Sequence, residues 1–214
     1  MRKRTDLERK FWDEYASKYD KFVDKRAVKS YEMLFERFAE DTENAGNLLE
    51  LATGTGLISL KLSERIPNII ATDLAPEMLR IAREKAAKKG VQNIEFQEED
   101  ICALRFPNNS FDTIIASNVL HLLFEPDKAI REMRRVLKNK GRIIVPTYCH
   151  GNSLLSHMVS RVMSLSGFRA RSRWSVKSFT RFIENNGFEI VKHETLDDII
   201  PMIYLVAKKA CPKA

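Results

Sequence analysis

The segment Asn47-Leu-Leu-Glu-Leu-Ala-Thr-Gly-Thr-Gly56 decides the fold of this chain. Its apolar residues predict a buried strand, and the glycines that follow predict a turn into a helix. A glycine in such a turn has no Cβ, so the backbone can approach a ligand closely. An acidic residue, Asp73, ends the next apolar segment, where a carboxylate suits the two hydroxyls of a ribose. Together these features predict a site for a cofactor that contains adenosine.

Strands and helices alternate from about residue 47 to residue 148, which predicts an α/β fold with a parallel sheet and helices on both faces. Seven strands are expected, at 47–51, 68–73, 94–97, 111–117, 141–148, 188–195 and 199–208. The last two are close enough in sequence to form an antiparallel hairpin at one sheet edge. The expected helices between them lie near 56–66, 76–89, 127–137 and 176–186.

The chain is expected to form a single domain, 1–214, with four parts. Residues 1–40 form two helices that cover the site, and 47–148 form the cofactor-binding core. Residues 151–173 form a helical insertion on the substrate side, and 176–208 form the C-terminal helix and hairpin. In the first helix, Leu7, Phe11, Tyr15 and Tyr19 recur at helical spacing, which predicts a buried face.

Composition narrows the class of protein. The chain has 214 residues, 44% of them hydrophobic, and a net charge of +7, as in a globular protein. The basic N-terminus is followed by no apolar segment, so no secretory signal is expected. The widely separated Cys102, Cys149 and Cys211 lack metal-ligand spacing, which favours free thiols in the cytoplasm and no metal site. No nucleic-acid motif accompanies the basic clusters, so nucleic acid is not an expected partner.

A nicotinamide cofactor is one alternative at the glycine turn. Its motif also has glycines where a strand turns into a helix, with an acid about twenty residues later. Gly54 and Gly56 occupy the first two glycine positions, but Ser59 stands where the third belongs. This motif alone leaves the cofactor open.

Several motifs along the chain, taken together with their order and spacing, are more specific than the glycine turn alone. They are Phe11-Trp-Asp-Glu-Tyr-Ala-Ser-Lys-Tyr-Asp20, Leu49-Glu-Leu-Ala-Thr-Gly-Thr-Gly56, Ala71-Thr-Asp-Leu-Ala-Pro-Glu-Met-Leu79, Glu99-Asp100, Phe106-Pro-Asn-Asn-Ser-Phe-Asp112, Val119-Leu-His121 and Arg135-Val-Leu-Lys-Asn-Lys-Gly141. In them the chain resembles class I S-adenosylmethionine-dependent methyltransferases, in the small-molecule branch that includes ubiquinone and menaquinone biosynthesis enzymes. The resemblance covers most of the chain. It implies a Rossmann-like, mostly parallel sheet, S-adenosylmethionine as cofactor and S-adenosylhomocysteine as product.

The resemblance also implies roles for residues of this sequence. The expected cofactor-binding residues are Tyr15, Tyr19, Glu50, Ala52, Thr53, Gly54, Gly56, Asp73, Leu74, Met78, Asp100, Ile101 and Ser117. Glu50 and the turn 52–56 would hold the methionine portion, with Glu50 near its ammonium. Asp73 would bind the ribose hydroxyls, and Asp100 would accept from the adenine amino group with Ile101 nearby. Met78 would pack on the adenine, Ser117 would line the pocket through its backbone, and the tyrosines would cover the site.

The sequence departs from the family pattern in three places. Ala52 stands where the family often has glycine, and an alanine is tolerated there only if its φ is negative. Glu50 replaces the commoner aspartate and reaches one methylene further. Asn139-Lys140 replaces the usual Pro-Gly, which predicts a different local turn.

The expected reaction is methyl transfer by in-line displacement to a small-molecule or lipid-like acceptor. His121, just beyond the fourth strand, is the candidate general base, with packing as the alternative role. Arg169, Arg171 and Arg173 are candidates for contact with an acidic group or a membrane surface. Two other functions remain open: a protein that binds the cofactor without catalysis, and an NAD-dependent oxidoreductase.

Overall fold

The computed structural model describes residues 2–43, 45–149, 170–196 and 201–210. Its helices are α1 (Arg2–Arg26), α2 (Val28–Asp41), α3 (Leu57–Leu62), α4 (Pro76–Lys88), α5 (Pro126–Val136) and α6 (Val176–Asn185), with a 3-10 helix at Leu120–Leu122. Its strands are β1 (Asn47–Leu51), β2 (Asn68–Asp73), β3 (Ile94–Glu98), β4 (Phe111–Ile115), β5 (Leu137–Ile144), β6 (Thr147–Tyr148), β7 (Phe188–Leu196) and β8 (Met202–Lys209). Most of the predicted insertion 151–173 lies outside the described residues, as does the turn between β7 and β8.

One sheet contains all of these strands, in the order β3-β2-β1-β4-β5-β8, with β7 on the far side of β8. The strands β1 to β5 are parallel, whereas β8 runs antiparallel to both β5 and β7. The predicted α/β class, the mostly parallel sheet and the antiparallel hairpin are therefore confirmed. The carboxyl ends of β1, β2 and β4 meet at one edge, which is where ligands bind in such sheets.

The sheet differs from the expected seven strands at the predicted strand 141–148, which begins earlier, at Leu137, and is interrupted near its end. The predicted strand 141–148 is divided at Pro146, and its end forms the separate strand β6. Proline has no N–H to donate to the ladder, so regular pairing stops there. Both pieces pair with β8, and the Val145 N–H still donates to the Leu205 carbonyl at 2.9 Å. Strand β6 is thus a short continuation of β5.

The two faces of the sheet are packed against different helices. On one face, α5 and α6 bury Met133, Phe179 and Ile183 in a core that includes residues of β1, β4 and β5. On the other, α2 and α3 pack on the sheet through Leu34, Phe38 and Ile58. The sheet is therefore buried on both sides, as its apolar parallel strands require.

Helix α1 belongs to neither layer. It crosses the edge where the parallel strands end, and Ala16 packs against Ala75 and Met78 at the start of α4. Asp13 accepts a hydrogen bond from the Glu77 N–H at 3.0 Å, so a side chain of α1 caps the N-terminus of α4. This helix therefore covers the edge of the sheet where a ligand is expected.

Polar contacts of Arg9 and Asp20 also hold α1 to the core. Arg9 forms an ion pair with Glu98 at the end of β3, at 2.6 Å. Asp20 accepts from the Thr55 hydroxyl at 2.5 Å and also pairs with Lys85. No helix in the described ranges is long and apolar enough to cross a membrane.

Candidate functional site

A cavity lies under α1 at the carboxyl ends of β1, β2 and β4. The expected site residues that line it are Tyr19, Ala52, Gly54, Asp73, Leu74, Met78, Asp100, Ile101 and Ser117. Four other expected residues, Tyr15, Glu50, Thr53 and Gly56, do not line it. The structure thus brings together residues from α1, the glycine turn, the end of β2, the start of α4 and the loop after β3.

The glycine turn has three residues in the left-handed region. Ala52, Gly54 and Gly56 have φ values of 54°, 57° and 78°. A Cβ on Gly56 would lie 3.0 Å from the Cβ of Ala82, so glycine allows α4 to approach the turn closely. The expectation of a negative φ at Ala52 is wrong, because the chain leaves β1 through a left-handed turn. Alanine there costs about 1–2 kcal/mol relative to an unstrained backbone.

We expect Ala52→Gly to raise the free energy of unfolding by up to about 1 kcal/mol, because the strain relieved exceeds the entropy that glycine adds to the unfolded chain. Urea denaturation measures the change. Ala87→Gly is the matched control, since Ala87 is exposed within helix α4, where glycine costs about 1 kcal/mol. Equal destabilisation in both variants would contradict strain at position 52.

The carboxylate of Asp73 organises the floor of the cavity. Its two oxygens accept from the Gly54 N–H at 2.8 Å and from the Ala75 N–H at 2.9 Å. The side chain is mostly buried with no cation paired to it in the described residues, and this burial raises its pKa to about 6. Each oxygen has a second lone pair, so the carboxylate can still accept from a ligand.

Glu50 lies behind the turn and not at the cavity wall. It is 2% exposed, and its carboxylate accepts from the hydroxyls of Thr53, at 2.7 Å, and Ser59. Burial raises its pKa to about 7. The side chain therefore holds the turn from behind, and the expected position near the ammonium of a cofactor stays a prediction.

The loop after β3 supplies the opposite wall. The Asp100 carboxylate accepts from the Cys102 N–H at 2.8 Å, which fixes its orientation. Ile101 and Met78 are buried apolar residues of the same cavity. An acceptor beside two apolar side chains suits a flat heterocycle with an amino group on its edge.

Two polar atoms in the cavity wall have no partner within the described part of the chain. They are the Oγ of Ser117 and the Oδ1 of Asn118, both buried. Asn118 has a φ of 53°, and its N–H donates to the Pro146 carbonyl at 2.9 Å. Buried polar atoms without partners mark places where a ligand completes the hydrogen bonding. Asn118 was missed from sequence because no motif singles it out.

The side of α1 that faces the cavity differs from the buried face predicted from the sequence. Thr5, Glu8, Trp12 and Tyr19 line the cavity, whereas Leu7 is 68% exposed. Tyr15 instead packs against aromatic neighbours, with its ring stacked on that of Phe11. The predicted buried face at Leu7 is wrong because the helix covers a cavity and α4, so polar residues also face inward.

Tyr19 reaches the glycine turn. Its ring lies 3.7 Å from where a Cβ on Gly54 would be, and its hydroxyl is 2.9 Å from that of Tyr31 on α2. Burial raises the pKa of Tyr19 to about 12, so the phenol stays neutral and remains a donor. The expected covering role is thus compatible with its position.

His121 is adjacent to the cavity and does not line it. The ring is 8% exposed, and its Nδ1 is 3.0 Å from the Thr147 hydroxyl. It also meets the Tyr148 ring edge to face. The backbone carbonyl of His121 accepts from the N–H groups of Arg171 and Ser172, so the end of the predicted insertion is held here. In the described ranges, no group of three His, Cys, Asp or Glu side chains could hold a metal ion.

A Rossmann-like sheet with an acid at the end of β2, a glycine turn after β1 and a covered cavity is typical of proteins that bind a nucleoside-containing cofactor. The chain belongs to the methyltransferase domain family, whose model matches residues 42–194. Membership confirms the predicted class, S-adenosylmethionine-dependent methyltransferases, and with it the predicted cofactor.

Curated relatives match parts of the chain. The demethylmenaquinone methyltransferase of Thermus thermophilus is 41% identical over 100 residues, 46% of this chain and 45% of its own. The ubiquinone/menaquinone biosynthesis C-methyltransferase UbiE of Citrobacter koseri is 37% identical over 137 residues, 61% of this chain and 54% of its own. The chain therefore matches about half the length of these relatives.

Solved structures show the same fold. The Haloferax volcanii complex of the Trm112 methyltransferase activator with a methyltransferase matches with a TM-score of 0.80 and 17% identity, over 96% of this chain and 99% of that one. The YcgJ protein of Bacillus subtilis matches with a TM-score of 0.70 and 19% identity, over 86% of this chain and 99% of that one.

Proposed function

We propose that the protein transfers a methyl group from S-adenosylmethionine to a small, partly apolar acceptor of the quinol type. The observation that carries this proposal is the covered cavity. Its walls combine apolar side chains with Asp73, Asp100 and two polar atoms that have no partner among the described residues. The acceptor class is supported by the relatives that are named for quinone biosynthesis.

The residues that line the cavity fit S-adenosylmethionine bound lengthwise under α1. Asp73 would hold the ribose hydroxyls, Asp100 the adenine amino group, and the turn at Gly54 the methionine portion. The cofactor, when bound, supplies a methyl group that its sulfonium has already activated. The protein then contributes mainly alignment and exclusion of water, because positioning alone can remove much of the barrier.

His121 is the residue we propose to take the proton that the acceptor gives up. Thr147 can accept from the Nδ1–H, which leaves Nε2 unprotonated and basic. Two features support this role: His121 is a near neighbour in sequence of Val119 and Leu122, which line the cavity, and its ring contacts that of Tyr148.

The test combines an acceptor panel with a variant. The purified protein is incubated with S-adenosylmethionine labelled in its methyl group and, in turn, a short-chain demethylmenaquinol, a phospholipid and a small amine. We expect label in the quinol. We expect His121→Asn to lower kcat by about 10²- to 10⁴-fold with little change in S-adenosylhomocysteine affinity. His193→Asn is the control, because His193 is exposed on β7.

Other results would change the assignment. Label only in a polar amine would exclude the quinol acceptor, and no label anywhere would favour a protein that binds the cofactor without catalysis. A kcat within a few-fold of wild type in His121→Asn would give that residue a packing role. We also propose that the protein is located in the cytoplasm and that the segment with Arg169, Arg171 and Arg173 contacts a membrane surface.

A further inference from the structure

One carboxylate of the cavity wall has no role in the function proposed above. Glu8, on α1, is half-buried and lines the same cavity as Asp100 and Ile101. Among the residues that the structure describes, its carboxylate has neither a hydrogen bond nor an ion pair within 4.0 Å. A half-buried carboxylate without a donor is costly unless a ligand supplies one.

The ion pair of the adjacent residue, Arg9, indicates where Glu8 lies along the cavity. Arg9 pairs with Glu98 at the end of β3, and the chain passes from there directly to Asp100. Along α1, Glu8 and Tyr19 are eleven residues apart, or about 16 Å of helix. Tyr19 contacts the glycine turn, so Glu8 lies at the opposite end of the cavity, beside Asp100.

The charges at this end support that placement. Burial raises the pKa of Glu8, the nearby Arg171 guanidinium lowers it, and the Asp100 carboxylate raises it again. The guanidinium carbon of Arg171 lies over the Phe124 ring, 3.5 Å from its centre, and Phe124 lines the cavity. Two carboxylates at one end of a cavity repel each other, and a group with two N–H donors between them relieves this.

We propose that Glu8 is a second acidic contact for the adenine amino group, accepting one of its two hydrogens while Asp100 accepts the other. The inference rests on the cofactor orientation of the proposed function, with the adenine beside Asp100. It gives α1 a part in choosing the cofactor, besides covering it. A purine with a carbonyl oxygen in place of the amino group would face two acceptors.

The test compares two ligands that differ at that group. Isothermal titration measures the affinity of S-adenosylhomocysteine and of S-inosylhomocysteine, in which a carbonyl replaces the amino group. The proteins are wild type, Glu8→Gln, Asp100→Asn and the control Glu14→Gln. Glu14 is a glutamate of the same helix whose side chain is 69% exposed.

We expect Glu8→Gln to weaken S-adenosylhomocysteine binding by about tenfold, since the charged acceptor is replaced by a neutral amide oxygen. The inosyl ligand should bind equally well or better, because the glutamine amide can donate to its carbonyl. The preference for the adenosyl ligand should therefore fall at least tenfold in Glu8→Gln and in Asp100→Asn, and stay unchanged in Glu14→Gln.

Two results would overturn the proposal in distinguishable ways. If Asp100→Asn lowers the preference and Glu8→Gln does not, the cofactor orientation stands and Glu8 has no contact with the amino group. If neither variant changes it, the adenine lies elsewhere and the orientation itself is wrong. The titrations contain no methyl-accepting substrate, so neither result depends on whether methyl transfer occurs.

Discussion

Asp73→Ala is expected to weaken S-adenosylhomocysteine binding by about 100-fold or more. The carboxylate would accept from two ribose hydroxyls, and each bond to a charged acceptor contributes about 1.5–3 kcal/mol. The substitution also removes the acceptor for the Gly54 and Ala75 N–H groups, which hold the turn in place. Isothermal titration measures the loss, with Asp127→Asn as control because Asp127 is exposed on α5 away from the cavity.

The pH dependence separates the ribose contact from damage to the turn. Burial raises the pKa of Asp73 in the free protein to about 6, and a ligand that donates to the carboxylate favours its charged form. Affinity should therefore fall below about pH 6, by up to about tenfold per pH unit, and Asp73→Asn should remove this dependence. Tyr19 and Asp13 also face this group, and burial raises the pKa of the nearby Glu50 to about 7. A pH profile that is the same in wild type and Asp73→Asn would assign the ribose to another residue.

Stability of the free protein should change with pH in the opposite direction. The folded protein binds the Asp73 proton more tightly than the unfolded chain, since the pKa rises from 3.8 to about 6 on folding. This contribution to the free energy of unfolding is complete below the unfolded pKa, and it is lost as the pH rises through about 6. Bound ligand should reverse the trend.

Removal of residues 1–22 is expected to lower turnover by about 100-fold or more while the sheet stays folded. The deleted part of α1 includes Trp12 and Tyr19, which cover the cavity, and its loss admits water to the site. Initial rates with the labelled cofactor and a demethylmenaquinol measure turnover, and circular dichroism reports the fold. Turnover equal to that of the whole chain would show that α1 is dispensable.

A matched pair of point variants tests the same cover without shortening the chain. Ala16 is 3% exposed against Ala75 and Met78, so Ala16→Arg forces α1 away from α4. Its neighbour Ser17 is exposed, and Ser17→Arg adds the same charge without a clash. We expect Ala16→Arg to behave like the deletion and Ser17→Arg like wild type. Equal rates in the two variants would count against a role for docking.

Local sequence predicts the parts of the site that lie on one strand–turn–helix unit. The turn at Gly54 and the acid Asp73 could be predicted from the pattern of apolar strands and glycines, because their local structure depends on residues close in sequence. The φ of Ala52 did not follow, because the geometry of the turn overrides the preference of alanine. Asn118 and Glu8 also escaped prediction, since their roles depend on how distant elements meet.

The face of α1 shows why periodicity alone was insufficient. A regular apolar stripe marks the buried side of a helix that packs on a continuous core. Here the helix covers a cavity and the first turn of α4, so Glu8, Trp12 and Asp13 face inward. Only the structure shows which of two adjacent faces is turned toward the site.

The polar contacts that hold α1 over the cavity also bear on the end of the reaction cycle. These contacts of Arg9, Asp13 and Asp20 hold the helix over the cavity, so we expect a bound ligand to leave faster when they are broken. The demethylated product of the cofactor keeps the same ribose and adenine, so it is retained by the same groups. We therefore expect the exchange of spent for fresh cofactor to depend on how firmly this one helix is docked.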